Sequence, residues 1–124
     1  MQQSLNLLRK QGYTVEITEK WNQFARIRQD MLGFIDLVAV SATDPITIAV
    51  QTTVMGSMTA RLAKIRTLPK AATWVSSPYR KLYIHGWALR GARGKRKTWT
   101  CKEWELTADV VAGNAVKTER LLSC

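Results

Sequence analysis

Segments with the composition and periodicity of β-strands occupy much of the chain. Five of them are rich in β-branched and aromatic residues, and turn-forming residues separate them. They cover residues 13–18, 34–40, 46–53, 81–89 and 97–106. The second is apolar at consecutive positions, which predicts a strand that is buried on both faces at the centre of a sheet.

Helical spacing of apolar residues is confined to shorter segments. It predicts helices over residues 3–11, 57–68 and 70–77, with Ser57 as the N-terminal cap of the second. Residues 19–33 are polar and irregular, and residues 107–124 predict a weak helix or a weakly ordered tail. The order α-β-β-β-α-(α)-β-β therefore predicts one mixed α/β domain over residues 1–124, with a central sheet flanked by helices.

Asp36 interrupts the apolar segment FIDLVAV (34–40). A carboxylate in a buried strand is costly unless it is paired or binds a metal ion. The turn at TDP (43–45) returns the chain as the next strand, IAVQTT (48–53), which carries Gln51. The hairpin would bring both side chains to one face, near the same edge of the sheet.

The net charge of +10 lies in the middle of the chain. No Asp or Glu occurs between Pro45 and Lys102, whereas this span contains Arg61, Lys64, Arg66, Lys70, Arg80, Lys81, Arg90, Arg93, Lys95, Arg96, Lys97 and Lys102. Such a one-sided field indicates a polyanionic partner, and nucleic acid is the commonest. A solvated basic face is the alternative, and anionic lipid is less favoured because no basic amphipathic helix is evident.

The chain carries no sign of a membrane or secretory protein. No apolar run reaches the roughly 18–20 residues that span a bilayer, and the N-terminus lacks a signal-peptide pattern. Cys101 and Cys124 form neither a disulfide framework nor a metal-ligand spacing. We therefore expect a soluble protein of a reducing cytoplasm.

The segment RGARGKRK is the clearest predicted nucleic-acid-binding element. It joins the last two strands as a hairpin loop, and its basic residues are Arg90, Arg93, Lys95, Arg96 and Lys97. Contacts from such residues to phosphates confer affinity and salt dependence rather than sequence recognition. A hairpin tip that is basic only for solubility is the alternative.

Asp36 and the residues predicted to lie near it offer oxygen atoms of the kind that bind a hard cation. Asp36 and Gln51, together with a backbone carbonyl such as that of Thr52, suit Mg²⁺, which also retains water and phosphate ligands. Glu19, just after the first strand, is a further candidate. In a basic protein such a cation would polarise a phosphodiester and activate an attacking water.

The segments RQDMLGFIDLVAV, IAVQTT and SMTARLAKI together resemble the PD-(D/E)XK nuclease superfamily. The similarity extends over about residues 13–89, most strongly over 28–65, and is closest to small phage-type and Holliday-junction-resolvase-like members, which implies the cytoplasm of a bacterium or of a phage-infected host cell. It implies a restriction-endonuclease-like fold of α-β-β-β-α-β order and a Mg²⁺- or Mn²⁺-dependent DNA endonuclease that leaves 5′-phosphate ends. Branched DNA, a junction or a flap, is one substrate it suggests, and a homodimer would allow two strands to be cut.

The resemblance also implies roles for individual residues. Asp36 would be the metal-binding aspartate, Gln51 would replace the motif glutamate, and Glu19 would be the N-terminal acid. Thr53 stands where the motif lysine is expected, and threonine cannot supply its charge. Arg61 or Lys64, on the following helix, would then replace that lysine.

Two other functional classes stay open. The chain could bind nucleic acid on the same fold without cutting it, or could be a structural or regulatory protein whose basic face meets an acidic partner. Metal-dependent cleavage separates the nuclease from both.

Several other residues have structural and functional interpretations. Asp30 is more often a turn former or a partner of Arg26 or Arg28 than a metal ligand. His85 is expected to be a hydrogen-bonding residue rather than a catalytic base, and Gly86 beside it indicates a bulge or a close backbone approach. Among the tryptophans, core packing is expected of Trp74, Trp87 and Trp99, and Trp21 and Trp104 either stack on bases or form core or dimer contacts.

Overall fold

A computed structural model describes residues 1–123. Its helices and strands, in chain order, are α1 (Gln2–Lys10), β1 (Thr14–Ile17), β2 (Lys20–Asn22), β3 (Ile27–Gln29), β4 (Leu37–Val40), β5 (Thr47–Val54), a 3₁₀ turn (Met55–Ser57), α2 (Met58–Arg66), α3 (Pro69–Trp74), β6 (Arg80–Arg90), β7 (Thr98–Glu105), α4 (Ala108–Val111) and β8 (Thr118–Ser123). None of these helices has the length and apolar character that crossing a membrane requires.

Six of the strands form one mixed sheet in the order β1-β4-β5-β6-β7-β8. Neighbours are antiparallel except β5 and β6, which are parallel and joined by a crossover through the 3₁₀ turn, α2 and α3. β2 and β3 form a separate two-stranded hairpin. The prediction of a mixed α/β protein with a central sheet is confirmed.

The directions of the strands place several of the segments that connect them at one edge of the sheet. We call the edge at which β5 and β6 end the upper edge. Because β4 is antiparallel to β5 and to β1, β4 begins and β1 ends at this edge. The segment 18–36, the start of α2 and the loop 91–97 all leave the sheet there.

Both faces of the sheet are covered, which explains the apolar runs of the central strands. One face packs against α2, α3 and α4, with Phe34, Ile35, Ile65, Leu82 and Ile84 fully buried. The other packs against α1 through a smaller cluster that includes Leu5, Leu8, Leu37 and Val50. Alternation along β4 and β5 therefore points successive side chains toward α1 and toward α2.

A buried polar network links α1 to the strands β6 and β7. The Ser4 hydroxyl lies 2.8 Å from Nδ1 of His85, and Nε2 of His85 lies 2.8 Å from Glu103 Oε2. Trp87 Nε1 donates to Ser4 Oγ, and Arg120 donates to Glu103 Oε1. Burial alone would raise the pKa of Glu103, but His85 and then Arg120 stabilise its charge and lower that pKa. His85 is thus the buried hydrogen-bonding residue that was expected.

Two regions differ from the prediction. Residues 19–33, expected to be irregular, contain the β2–β3 hairpin, whose strands have only three residues each and are mostly exposed. The weak helix or weakly ordered tail expected over 107–124 instead forms α4 and the edge strand β8. β2, β3 and β8 lack an apolar face, so none of them produces an alternation of apolar and polar residues in the sequence.

Smaller corrections concern Ser57 and the tryptophans. Ser57 precedes α2 but makes no capping hydrogen bond through its side chain. Trp87 and Trp104 are buried, Trp74 is half-buried, and Trp99, expected in the core, is 38% exposed and meets Trp87 edge-on. Trp21 is 58% exposed, which rules out a core position.

Gly86 provides a test of the packing between β6 and the crossover. A Cβ at this position would overlap Sδ of Met58 and lie 3.0 Å from Cα of Met55. We expect Gly86→Ala to lower the free energy of unfolding by about 1–3 kcal/mol, as overpacking does. Urea denaturation would measure it, with Gly56→Ala, whose Cβ would meet open space, as the matched control. Equal midpoints for the two variants would contradict this packing.

Candidate functional site

Asp36 lies immediately before β4, with its side chain turned toward the α2 side and only 4% exposed. Its Oδ2 accepts hydrogen bonds from the backbone N–H of Thr52 at 2.8 Å and from the Thr52 hydroxyl at 3.1 Å. Burial and the neighbouring Asp30 raise the pKa of Asp36 to about 7, although the Thr52 donors favour the charged form. The carboxylate is held by fixed donors and yet lacks a positive partner among residues 1–123.

Gln51 lies beside Asp36 on β5 and is buried. Its Nε2 donates to Asp30 Oδ2 at 3.1 Å and to Asp36 Oδ2 at 3.3 Å. Its Oε1 is buried and has no hydrogen-bond partner in the part of the chain that the structure describes. An unpaired buried amide oxygen is unfavourable, so the neighbourhood of Gln51 is short of a donor or a cation.

Three carboxylates converge at this point. One oxygen from each of Glu19, Asp30 and Asp36 lies within 4.8 Å of the others. The β2–β3 hairpin accounts for two of them, because Lys20 pairs with Gln29 and the next residues outward are Glu19 and Asp30. Such a set of oxygens matches the ligands of a hard divalent cation.

A cavity of about 820 Å³ opens above the carboxylates. Glu19 and Asp30 line one side, and α2 lines another with Arg61 and Lys64, which are three residues apart and share a helix face. Lys70 from α3 also contributes. The cavity therefore combines an acidic end with a cationic wall, an arrangement suited to a metal ion and a phosphate group together.

The structure brings together most of the residues that the sequence singled out. Asp36 and Gln51 are in contact, Glu19 joins them, and Arg61 and Lys64 line the same cavity. Their roles as ligands or catalytic groups stay predictions.

Thr53, in the place of the motif lysine, lines a second cavity of about 470 Å³ that shares Arg61 with the first. The basic loop lies apart from both cavities. Its residues 91–97 are exposed beyond the upper edge, and Arg90 turns back so that its guanidinium lies 2.9 Å from Met55 Sδ.

Asp30 and Thr52 have larger parts in the site than the sequence indicates. Asp30, expected to form a turn or to pair with Arg26 or Arg28, accepts from Gln51, and Arg28 lies 3.9 Å from Glu19 instead. A hairpin centred on residues 23–26 is the signal that would have placed Asp30 opposite Glu19. Thr52, expected to offer a backbone carbonyl, contacts Asp36 through its N–H and hydroxyl.

Comparison of the chain with protein-family models, with curated proteins and with solved structures finds no match in any of the three. The functional interpretation therefore rests on the geometry of the site.

Proposed function

We propose that the protein is a metal-dependent DNA endonuclease that hydrolyses phosphodiester bonds. The observation that carries this proposal is the convergence of Glu19, Asp30 and Asp36 beside a cavity that Glu19 and Asp30 line together with Arg61 and Lys64. The acidic end would hold Mg²⁺ or Mn²⁺, and the cationic wall would hold the scissile phosphate.

Two features of the site fit a bound cation. The pKa of Asp36 is raised because a buried carboxylate lies beside another carboxylate, and a divalent cation would stabilise both in the charged form. The Gln51 amide also contacts both carboxylates through Nε2, while its oxygen lacks a partner among the described residues. Amide oxygens are good ligands for hard cations, so Gln51 can contribute to the same site.

The cation would supply Lewis-acid activation of the phosphate and a lower pKa for the attacking water. Residues of the protein hold the carboxylate in position and offset the charge on the phosphate. Thr52 fixes the Asp36 carboxylate through two hydrogen bonds. Arg61 and Lys64 offset the negative charge that builds on the phosphate, a task that Thr53 cannot perform.

The order of the elements supports the assignment to the PD-(D/E)XK superfamily. α1, β1, β4, β5, α2 and β6 follow the α-β-β-β-α-β order that the resemblance implies, if the β2–β3 hairpin is counted as an insertion and α3 is grouped with α2 in the crossover. Gln51 is on the third of these strands, where the resemblance expects a metal ligand, and Asp36 lies immediately before the second strand rather than inside it.

The loop 90–97 supports DNA as the partner. It is exposed, carries five basic residues and leaves the same edge of the sheet as the carboxylates. A long polyanion lying along this edge would contact both.

A second candidate is a DNA-binding protein of the same fold that does not cut. The observation that favours it is Thr53, which lies near Arg61 but carries no charge. In that case the carboxylates and the basic loop would still bind a cation and DNA, respectively.

Cleavage assays with Mg²⁺ or Mn²⁺ test the proposed activity. We expect the unmodified protein to cut plasmid, duplex, flap or four-way-junction DNA. Asp36→Ala should lower the cleavage rate about a hundredfold or more, and Lys64→Ala and Arg61→Ala about tenfold to a hundredfold, as removal of a charge-stabilising group does. Glu16→Ala, which removes an exposed carboxylate on β1, is the control. Metal-independent binding without any cutting would favour the second candidate.

Asp36→Asn tests the metal site through stability rather than activity. Because the folded-state pKa of about 7 lies above the ordinary 3.8, the stability of the metal-free protein falls as pH rises between these values. The Asn variant escapes this loss, so it should melt several degrees higher than the unmodified protein at pH 8 and equally at pH 4. Added Mg²⁺ should stabilise only the unmodified protein. A lower melting temperature for Asn at pH 8 would refute the raised pKa.

The basic loop is tested by salt dependence. We expect the combined variant Arg93→Gln, Lys95→Gln, Arg96→Gln and Lys97→Gln to reduce the slope of log K against log salt. The reduction should be about 0.9 for each phosphate of duplex DNA that the variant no longer neutralises. Lys81→Gln, near the start of β6 at the opposite edge of the sheet, should leave the slope unchanged. An unchanged slope in the loop variant would show that DNA binds elsewhere.

A further inference from the structure

The β2–β3 hairpin, residues 20–29, presents aromatic side chains to solvent. It pairs with itself rather than with the six-stranded sheet, and it belongs to the segment that leaves the upper edge between β1 and β4. Phe24 at its tip is fully exposed, and Trp21 and Ile27 are more than half exposed. Large apolar side chains gathered on so small an element indicate a contact surface.

The tip holds Phe24 in a defined turn. The Asn22 side chain accepts hydrogen bonds from the backbone N–H groups of Phe24 and Ala25, both at 3.0 Å. Arg26 closes the turn with φ of 53°, a left-handed conformation that is unfavourable for residues other than glycine. An ordered turn that projects a phenylalanine away from the protein is pre-organised for insertion.

The charge of the hairpin points to a polyanion. It contains Lys20, Arg26 and Arg28, and no acidic residue. A second copy of the chain would present an equally basic hairpin, so pairing of two hairpins would be opposed by charge repulsion. DNA offers both complementary charge and apolar base faces.

The register of the hairpin directs Trp21 toward the carboxylates. Trp21 pairs with Arg28, and the two share a face with Glu19 and Asp30, each of which lies two residues further along its own side of the hairpin. The 3.9 Å contact between Arg28 and Glu19 lies on this face. Glu19, Arg28 and Asp30 line the 820 Å³ cavity, and Trp21 does not. A base beside a phosphate in that cavity would meet the tryptophan.

We propose that the 20–29 hairpin is a base-contacting arm that selects DNA with unpaired bases. Trp21 stacks on an unpaired base next to the phosphate in the cavity, and Phe24 inserts between neighbouring bases, as apolar wedges do in distorted DNA. The basic residues of the arm contact phosphates on either side. The substrate class is thereby forks, flaps and bulges, and this assignment rests on the DNA binding assumed in the proposed function.

Binding without metal isolates the arm from cleavage. Two labelled duplexes of equal length are compared in EDTA, one fully paired and one with two unpaired bases, one of which is 2-aminopurine. We expect the unmodified protein to bind the second DNA at least about 25-fold more tightly, because two stacking contacts contribute at least about fivefold each, and to quench the 2-aminopurine.

Trp21→Ala and Phe24→Ala should each reduce this preference at least about fivefold, and Trp21→Ala should abolish the quenching. Both side chains are exposed, so circular dichroism should show an unchanged fold. Tyr79→Ala is the matched control, because Tyr79 is an exposed aromatic residue that precedes β6 at the opposite edge.

The possible outcomes distinguish the proposed role of the 20–29 hairpin from the proposed nuclease activity. Equal affinity for the two DNAs, or a preference retained in both variants, overturns the arm but not the nuclease. Absence of binding to either DNA overturns both. A preference that depends on the arm, in a protein that cuts no DNA, supports the arm and overturns hydrolysis. A dimer that both variants convert to monomer without changing DNA preference would make the hairpin a self-association surface and overturn the proposal.

Discussion

Burial of the Asp36 carboxylate at the start of an inner strand shapes the region around it. Removing a charge from water is unfavourable unless donors or cations replace the lost hydration. Here β5 supplies the donors, because Thr52 and Gln51 both contact Asp36. The same region brings a second carboxylate, Asp30, against the first, so the donors only partly compensate. The remaining imbalance makes this region a candidate for a bound cation rather than a structural ion pair.

The position of the site follows from the one parallel pair in the sheet that residues 1–123 form. A parallel connection needs a crossover, and α2 must therefore begin where β5 ends. This places Arg61 and Lys64 above the carboxylates. β4 and β7 are antiparallel to β5 and β6, so both begin at this upper edge. Asp36, just before β4, and the basic loop, just before β7, therefore lie at the same edge of the sheet.

The strands that the sequence predicts are those whose apolar residues form runs or alternate with polar residues. The four long segments that became β4 to β7 are buried, and their burial produces the runs and alternation that reveal a strand. The proximity of Asp36 and Gln51 followed from the short turn between β4 and β5. The unpredicted parts depend on contacts that leave little trace in composition. The β2–β3 hairpin is held by the Asn22 turn rather than by an apolar face, so its pairing of Glu19 with Asp30 was missed. β8 is exposed along most of its length and is ordered by its pairing with β7.

The network from Ser4 through His85 and Glu103 to Arg120 has a consequence for how the chain folds. It joins a side chain of the first helix to one on the last strand, by way of β6 and β7. α1 precedes the sheet strands in the sequence, yet its polar anchor is complete only when β6, β7 and β8 are all in place. The network can therefore anchor α1 only once β6, β7 and β8 have paired, so formation of the first helix alone cannot secure it against the sheet.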